Sequence, residues 1–472
     1  MIRIRLLSLY DRNDGNKYTI SSLRLASYVC NLNEIEARIL TLPMDYSENE
    51  MDTLLNRINE EDIDVLGLSA YIWTWSTIRK ISLNVKRKKK LRIVVGGPEV
   101  INRNTHDWFG DEIFVYGEGE MFFREICKFA IQGKTAKEIL NMSIIGNSIK
   151  EGKRYIVAKE GSLNYEQCAY SAETFNQLYI KDFSIEYAYY ETTRGCPYKC
   201  GYCGHKFRSK IAAFDDDFLK KEISFFGSIG MKELFIIDPI IGGTQEHGKK
   251  VFSLFQELSP QTKIVAYLRP EYLDVEYIDI LQKSNISELR LGVQTINKKV
   301  PKWIRNNNIG KILDVLPRLS KIGIPWRAEL IVGLPGDNMN GLRETFRFLI
   351  NEVKPTFIHA YHLTVLKETE LYRLVNAPTH WIRMDKKSFR ALESYSYSED
   401  ELKKMIIYSV LITSFYNYFA SELQEKAGKY YNYAPNFEII TNKVEEQMAY
   451  FQITGFPQYE DGVAFWKKII KK

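Results

Sequence analysis

Three cysteines in one short segment carry the clearest chemistry in this 472-residue sequence. Cys196, Cys200 and Cys203 lie within eight residues, whereas the other three cysteines are scattered along the chain. A structural zinc site needs four ligands, and the nearest fourth candidate, His205, is too close in sequence to complete one comfortably. Cysteine thiolates hold iron–sulfur clusters, and three of them leave one iron of a 4Fe-4S cluster open. The spacing therefore predicts a 4Fe-4S cluster that can bind a further molecule.

The elements on both sides of this segment alternate between strand-like and helix-like patterns. Residues 1–140 hold five strand-like segments, the third over residues 65–72, which predicts a flavodoxin-like, Rossmann-type α/β domain with a parallel sheet. Residues 186–375 hold six more, which predicts a partial (β/α)6 barrel with its chemistry at the carboxyl ends of the strands. Residues 376–472 are helical and aromatic-rich, and predict a mainly helical C-terminal capping domain. Residues 141–185 are expected to be a connector.

Composition is that of an ordinary globular protein and restricts its partners. Hydrophobic residues make up 45% and charged residues 26% of the sequence. A net charge of only +6 does not favour a dedicated nucleic-acid-binding protein. No signal-peptide pattern and no apolar run of membrane-spanning length is present in the sequence. We expect a cytoplasmic monomer without a membrane span.

The cysteine segment resembles the signature of the radical SAM superfamily, Cys-x-x-x-Cys-x-aromatic-Cys, with Tyr202 as the aromatic residue. Residues 292–295, 329–336 and 367–370 resemble strand-end motifs of the same family, although the last lacks the usual proline and glycine. The resemblance covers residues 187 to about 370. It implies that S-adenosylmethionine (SAM) binds the open iron and is cleaved to a deoxyadenosyl radical.

Four residues are expected to contact SAM on the strength of this resemblance. Tyr202 lies in the signature, and Asp238 closes the second strand, where the family holds the SAM amino group. Gln294 could hydrogen-bond SAM, and Arg269 could meet its carboxylate. Alternatives stay open, because Asp238 could begin a turn before Pro239, and the other two could have ordinary roles at a barrel rim. The sequence identifies no catalytic acid or base.

Loops after three strands of the N-terminal sheet resemble the cobalamin-binding domain of one large radical SAM group. Doubly wound sheets bind ligands at the carboxyl ends of their strands, where glycines let a cofactor approach the backbone. Asn13 stands where many such domains carry the histidine below cobalt. The resemblance therefore implies cobalamin without a histidine ligand, with Trp73, Tyr71 or a water on that side, although Trp73 could instead be a core aromatic. The expected cobalamin contacts are Ser69, Tyr71, Trp73, Gly96, Gly97, Pro98, Glu99, Gly117, Glu118, Gly119 and Glu120.

Both sets of motifs together resemble the class B radical SAM methyltransferases. That resemblance implies methylation of an unactivated carbon, in a natural-product or peptide substrate, through methylcobalamin and a deoxyadenosyl radical. It also implies an external one-electron reductant of the flavodoxin or ferredoxin type. Two alternatives remain: a cobalamin-dependent radical enzyme that catalyses a cyclisation, ring contraction or oxidation without methylation, and a non-catalytic cobalamin or metal sensor. The sequence does not identify the substrate.

Overall fold

The computed structural model describes the chain except for residues 15, 87, 89, 103–111, 141–155, 158–167, 181–185, 206–209, 376, 427–435, 452–456 and 471–472. The described residues form two compact units. The first contains Met1–Thr193, Ala212–Ile236 and Leu254–Lys263, and the second contains Arg194–Ile211, Ile237–Ser253 and Ile264–Lys472. Much of the predicted connector lies outside the described residues, and the predicted domain limits stay predictions.

The first sheet confirms the predicted flavodoxin-like class. Its order is β2-β1-β3-β4-β5-β6, so the strand order changes direction between β1 and β3. The pairings among these strands are parallel. One difference is that the predicted connector contributes a two-residue edge strand, β6. The strands are β1 (Ile2–Tyr10), β2 (Ile35–Pro43), β3 (Val65–Ser69), β4 (Arg92–Gly96), β5 (Ile113–Tyr116) and β6 (Ile156–Val157).

Helices of the N-terminal region pack their apolar side chains onto this sheet. Ile78 and Ile81 of the third helix are buried in one cluster with Leu66 and Val95 of the sheet. The second helix begins at a capping box, in which Ser47 and Glu50 each accept from the other's backbone N–H. The helices are α1 (Ile20–Ser27), α2 (Glu48–Glu60), α3 (Trp75–Asn84), α4 (Glu99–Asn102), α5 (Gly119–Ile131), α6 (Ala136–Leu140) and α7 (Ala172–Gln177).

The second sheet contains the six strands predicted for the barrel, in the order β14-β13-β12-β11-β10-β7. The pairs β7–β10, β11–β12, β12–β13 and β13–β14 are parallel. These strands are β7 (Tyr187–Tyr190), β10 (Glu233–Ile236), β11 (Lys263–Leu268), β12 (Ile286–Gln294), β13 (Trp326–Val332) and β14 (Phe357–His362). The helices that alternate with them are α8 (Asp216–Ser228), α9 (Gln245–Leu258), α10 (Val275–Lys283), α11 (Ile309–Lys321) and α12 (Met339–Arg347).

A buried ion pair joins α1 to α8 within the first unit. Arg24, 1% exposed, donates two hydrogen bonds to the Glu222 carboxylate, at 2.8 and 3.0 Å. The backbone N–H groups of Ala169 and Tyr170 also donate to Glu222. The guanidinium lies 4.8 Å from the ring centre of Phe214. Such a pair withstands burial only because its hydrogen bonds replace those lost to water.

The C-terminal region is mainly helical, as predicted, and begins with an antiparallel pair of strands. These are β15 (Ile382–Met384) and β16 (Ala391–Ser394), followed by α13 (Glu399–Lys426), α14 (Phe437–Met448) and α15 (Tyr459–Ile470). Tyr416 of α13 is buried and donates to the Pro355 carbonyl at 2.6 Å. Aromatic residues of α13 therefore serve helix packing. In the parts of the chain that the structure describes, no helix combines the length and apolar character that crossing a bilayer requires.

Candidate active site

The cysteine segment lies between two short strands, β8 (Thr193–Arg194) and β9 (Ala212–Ala213). Gly195 precedes the first cysteine with a φ of +93°, and a Cβ there would lie 3.0 Å from the Lys210 carbonyl oxygen. The Cys203 N–H donates to the Cys200 carbonyl at 3.0 Å, which closes a tight turn. This turn therefore holds Cys203 next to Cys200, and the charges of Cys200 and Cys196 both act on the Cys203 thiol.

Two other loops of the second unit hold this segment in place. The Gly201 N–H donates to the carbonyls of Trp303 and Ile304, both at 3.0 Å, and its own carbonyl accepts from the Leu371 N–H at 2.9 Å. A Cβ on Gly201 would lie 2.7 Å from the Trp303 ring. Only glycine fits at this position, so the loops after β12 and β14 fix the cysteine turn.

Two buried guanidinium groups face the sulfur of Cys200. Arg305 Nη1 lies 3.6 Å and Arg269 Nη1 lies 3.9 Å from Cys200 Sγ. Burial acts to lower the pKa of Arg305, but the negative charges of Tyr202, Cys200 and Glu271 outweigh it, so this pKa is raised. A fixed positive charge beside sulfur stabilises the thiolate, which is the form that binds iron.

The other two cysteine thiols, of Cys196 and Cys203, are partly buried. Burial, with a smaller contribution from the neighbouring Cys200 and Cys196, raises the pKa of Cys203 to about 11. Burial likewise raises the pKa of Cys196. Over the described residues, no three His, Cys, Asp or Glu side chains converge as ligands of a single metal ion. Ligands of a cluster bond to separate irons and need not converge, so the residues present fit a cluster.

Gln294 has the features expected of a SAM contact. It ends β12 at a register shift, and its φ of +65° is unusual for a residue other than glycine. Its side-chain Oε1 is buried and accepts no hydrogen bond from the described residues. A strained residue with an unmet buried acceptor fits a site that a polar ligand completes. The SAM contact itself stays a prediction.

The other predicted SAM residues have local roles in the structure. The Asp238 carboxylate accepts from the Gly242 N–H at 3.0 Å, which supports its alternative role in a turn. Arg269 is bound to Glu271 at 2.8 Å, so its guanidinium is already paired on the side away from Cys200. Tyr202 accepts from Arg305 at 3.4 Å, beside the cysteines. Contacts of these three residues with SAM stay predictions.

Arg305 was missed by sequence reasoning because its loop matches no motif.

Sequence reasoning also missed a polar face of the second sheet, which is formed by alternate residues of β11 to β14. Because the side chains of strands alternate between faces, the polar residues two apart on β12, β13 and β14 were the available signal. The opposite face is mostly apolar and buried, with residues such as Leu289, Leu291, Ala328 and Leu330. We call this surface the polar face; it consists of Tyr267, Glu288, Arg290, Arg327, Glu329, His359 and Tyr361.

Charges on the polar face are paired within a small area. The Glu288 carboxylate accepts from Arg290 at 2.7 Å and from Arg327 at 2.9 Å. Glu329 is 8% exposed, and burial raises the pKa of its carboxyl group although both arginines act against this. Tyr361 donates to Glu329 at 3.4 Å. Glu329 is therefore the most weakly paired acid on this face.

The polar face begins beside the cysteine segment. Gly292 is the register partner of Glu329, and the Gly292 carbonyl accepts from Arg305. The same guanidinium reaches Cys200 through its other terminal nitrogen. Arg305 therefore bridges the Cys200 sulfur and β12, the strand that neighbours Glu329.

In the first unit, Trp73 lies in the loop after β3 and is 63% exposed, which excludes the core-aromatic alternative. Its ring stacks on that of Tyr71 with centres 5.1 Å apart and planes at 4°. Thr74 Oγ1 accepts from the Tyr71 N–H at 2.8 Å and donates to the Ser69 carbonyl at 2.7 Å. This turn leaves a flat aromatic surface at the carboxyl end of the sheet.

The glycines predicted to contact cobalamin differ in what their surroundings require: Gly97 is needed by the loop, whereas Gly96 and Gly119 have space beside them. Gly97 has a φ of +122°, and a Cβ there would lie 2.5 Å from the Ala70 carbonyl oxygen, so the loop itself requires glycine. Around Gly96 and Gly119 an added Cβ would meet no atom closer than 3.8 and 4.0 Å, respectively. Space next to these two backbones fits a large ligand such as a corrin.

The remaining predicted cobalamin residues lie at the same sheet edge, because β3, β4 and β5 are adjacent and parallel. Ser69 and Gly96 end β3 and β4, Gly117 directly follows β5, and Glu118 is the N-cap of α5. Asn13 donates to Asp11 at 2.9 Å within its own turn. Cobalamin contacts stay predictions for this set, which also includes Pro98, Glu99 and Glu120.

Fold and site together define the class of this chain. Residues 190–349 match the sequence model of the Radical SAM superfamily, and this stretch includes the three cysteines, Arg269, Gln294 and Arg305. The chain therefore contains a radical SAM domain.

Particular relatives combine this domain with cobalamin. The chain is 25% identical over 336 residues to the cobalamin-dependent radical SAM methyltransferase TokK of Streptomyces tokunonensis, which covers 65% of this chain and 48% of TokK. It is also 25% identical over 332 residues to the 2-(S-pantetheinyl)-carbapenam-3-carboxylate methyltransferase of Streptantibioticus cattleyicolor, which covers 65% of this chain and 47% of that enzyme. The chain thus spans about half the length of the curated relatives it matches.

Two solved structures share the fold over nearly the whole chain. The radical S-adenosylmethionine methyltransferase TsrM from Kitasatospora setae superposes with a TM-score of 0.64 at 14% identity, covering 95% of this chain and 99% of TsrM. The cobalamin-dependent S-adenosylmethionine radical enzyme OxsB superposes with a TM-score of 0.70 at 14% identity, covering all of this chain and 75% of OxsB. These similarities show a common fold.

Proposed function

We propose that this chain is a cobalamin-dependent radical SAM enzyme that methylates an unactivated carbon of a natural-product or peptide substrate. The observation that carries the proposal is the cysteine turn, whose Cys200 sulfur faces two buried guanidinium groups in a domain matched by the Radical SAM superfamily. The same chain contains a flavodoxin-like sheet with uncrowded glycines and with the exposed Trp73 stacked on Tyr71, which supports cobalamin.

The residues of the cysteine turn would bind and orient the cluster and SAM. Cys196, Cys200 and Cys203 would hold the cluster, while Arg305 and Arg269 would place positive charge beside the Cys200 sulfur. The unmet Oε1 of Gln294 would accept from a polar group of SAM. When bound, the cluster and SAM supply a deoxyadenosyl radical that takes hydrogen from the substrate, and cobalamin supplies the methyl group.

The loops after β3, β4 and β5 would hold cobalamin. Gly96 and Gly119 leave room for the corrin beside the backbone, and the stacked rings of Tyr71 and Trp73 would cover its lower side. Asn13 remains bonded to Asp11 in its own turn, which supports cobalt without a histidine ligand.

The substrate would bind on the polar face. This surface begins at Gly292, one strand from Glu329, and so lies next to the residues proposed to hold SAM. Its charged side chains would orient polar groups of the substrate, and Glu329, the most weakly paired acid on this face, would be available to hydrogen-bond it. Both a small molecule and a peptide fit this role.

The setting of the enzyme is also part of the proposal. None of the six cysteines forms a disulfide, and we propose that the enzyme works in the reducing environment of the cytoplasm. The reaction needs an external one-electron reductant, and we propose a flavodoxin or ferredoxin. We propose that the enzyme acts as a monomer.

Anaerobic reconstitution tests the cluster assignment. The parent chain should hold about four irons per chain and cleave SAM to deoxyadenosine under a strong reductant. Cys200→Ala should lose both properties, whereas Cys30→Ala, which changes a cysteine outside the segment, should keep them. Zinc without iron in the parent, or unchanged iron in Cys200→Ala, would overturn the assignment.

A single-turnover experiment separates methylation from the alternative radical reactions without any substrate. Purified with cobalamin and then reduced, the chain should convert SAM to S-adenosylhomocysteine in an amount equal to its cobalamin. Deoxyadenosine without S-adenosylhomocysteine would favour a cobalamin-dependent cyclisation, ring contraction or oxidation. The cobalt(II) paramagnetic spectrum should lack coupling to a protein imidazole, and such coupling would contradict the proposed lower side.

A further inference from the structure

The two segments that enclose the cysteine turn carry positive charge and no negative charge. Residues 192–214 contain five lysines and arginines and no acidic residue. Residues 291–313 also contain five lysines and arginines and no acidic residue. Because the whole chain has a net charge of only +6, the remainder of the chain is slightly acidic. The basic residues of the two segments are Arg194, Lys199, Lys206, Arg208, Lys210, Lys298, Lys299, Lys302, Arg305 and Lys311.

The structure joins these segments at the cysteine turn and leaves an aromatic ring in solvent there. The Gly201 N–H donates to the Trp303 carbonyl, and the Trp303 ring lies against Gly201. Trp303 is nevertheless 43% exposed. We define the basic rim as Trp303 and four exposed lysines of the two segments: Lys199, Lys298, Lys299 and Lys302.

Acidic side chains near the turn do not cancel this charge. Glu271 is bound to Arg269, and its side chain is only 9% exposed. Glu370 is bound to Arg373 at 2.7 Å. Glu368 lies partly buried against Gly204. The exposed surface of the rim is therefore positive.

We propose that the basic rim is the docking surface of an acidic one-electron carrier of the flavodoxin or ferredoxin class. The inference rests on the proposed function, because only a chain that cleaves SAM needs this electron. Each cleavage consumes one electron, which the carrier loses. The electron enters the sulfonium C–S bond, and the products are methionine and the deoxyadenosyl radical.

Charge and position both suit this partner. Opposite charges steer two proteins together. Electron-transfer complexes are transient and have small interfaces. A carrier seated on Trp303 would be separated from the cysteine sulfurs by one loop, since Gly201 lies between Cys200 and Cys203. The exposed ring gives the rim an apolar centre within a polar, charged border.

Charge reversal on the rim tests the proposal. In Lys298→Glu/Lys299→Glu/Lys302→Glu, reduction of the reconstituted cluster by a reduced flavodoxin of net negative charge should be at least about tenfold slower at low salt. The parent rate should fall as salt is raised, and the variant rate should depend little on salt. Reduction by dithionite, a small molecule that needs no docking surface, should be equal in both proteins. Stopped-flow absorbance of the cluster measures all of these rates.

A matched variant controls for net charge alone. Lys403→Glu/Lys467→Glu/Lys468→Glu makes the same charge change at exposed positions of α13 and α15, and it should keep the parent rate with flavodoxin. Equal flavodoxin rates in the rim variant and the parent would overturn the proposal. Equal slowing with flavodoxin and dithionite would also overturn it, because the substitutions would then act on the cluster. A parent without a reducible cluster would instead refute the proposed function.

Discussion

At the scale of single residues, Gln294 combines backbone strain with a buried acceptor that has no protein donor among the described residues. A left-handed conformation costs a residue with a side chain roughly 1–2 kcal/mol, and glycine avoids this cost. We expect Gln294→Gly to raise the free energy of unfolding by up to about 1 kcal/mol, after the added flexibility of the unfolded chain is subtracted. The same change should weaken SAM binding at least about tenfold, because one hydrogen bond to a charged ligand is worth about 1.5–3 kcal/mol.

Denaturant unfolding and calorimetric titration of SAM into the reconstituted chain measure the two effects. Gln294→Asn is the matched control, since asparagine tolerates the left-handed region and keeps an amide. Gln294→Asn should resemble Gln294→Gly in stability but should differ from it in SAM affinity, because asparagine keeps an amide. Unchanged SAM affinity in Gln294→Gly would show that the strained residue has a structural role only.

Arg305 places a positive charge beside the Cys200 sulfur. In Arg305→Met the reduced cluster, which carries one more negative charge, loses a hydrogen bond worth about 1.5–3 kcal/mol. The reduction potential should therefore fall by roughly 60–130 mV for one electron. A redox titration followed by electron paramagnetic resonance measures this shift, and Arg305→Lys should recover part of it. An unchanged potential in Arg305→Met, with full iron content, would contradict the assigned role.

Two neighbouring glycines separate loop stability from cofactor binding. Gly97→Ala forces a Cβ to within 2.5 Å of the Ala70 carbonyl at a positive φ, and should cost about 1–3 kcal/mol of stability. Gly96→Val should change stability less but expel cobalamin, because a Cβ there meets no atom closer than 3.8 Å and the added side chain would occupy the space proposed for the corrin. Denaturant unfolding of the apo chain and the cobalamin content after purification measure the two effects. Full cobalamin content in Gly96→Val would place the corrin elsewhere.

At the scale of elements, the sequence predicts strands well and contacts between distant loops poorly. Central strands of a parallel sheet are buried on both faces, so β3 and β4 read as continuous apolar runs. The end of β3 was predicted three residues late, because the apolar run continues into the exposed loop that carries Tyr71 and Trp73. The contact of Arg305 with Cys200 joins positions 105 residues apart, and no local pattern records it.

The buried pair between α1 and α8 is a prediction at this scale. Arg24→Met leaves the Glu222 carboxylate buried without its cation and should cost about 3–5 kcal/mol. In Arg24→Met/Glu222→Gln the charge is removed as well, and the amide oxygen introduced at position 222 can still accept from the Ala169 N–H, so the loss should be smaller. A double-mutant cycle from denaturant unfolding measures the coupling. Additive losses would contradict a mutual dependence of the two residues.

At the scale of the whole molecule, two partly buried histidines of β14, His359 and His362, link stability to pH. Burial lowers the pKa of both His359 and His362 to about 4, below the value of about 6.5 in an unfolded chain. Between these values the unfolded chain binds more protons than the folded chain, so stability falls as the pH falls from about 6.5 toward 4. Carboxylates such as Glu50, whose pKa is held at about 2 mainly by the Ser47 N–H and Arg12, lose their charge only below this window.

His362→Gln isolates one part of this pH dependence. A glutamine can still donate to the Ala391 carbonyl, which accepts from His362 Nε2 at 2.8 Å, but it does not bind a proton. The parent should lose roughly 2–3 kcal/mol more than the variant between pH 7 and pH 4, because each unit of pKa shift is worth 1.36 kcal/mol. Other titrating groups cancel in this difference. Exposed His380→Gln should follow the parent. Parallel stability curves for the parent and His362→Gln would mean that His362 is protonated as readily in the folded chain as in the unfolded one.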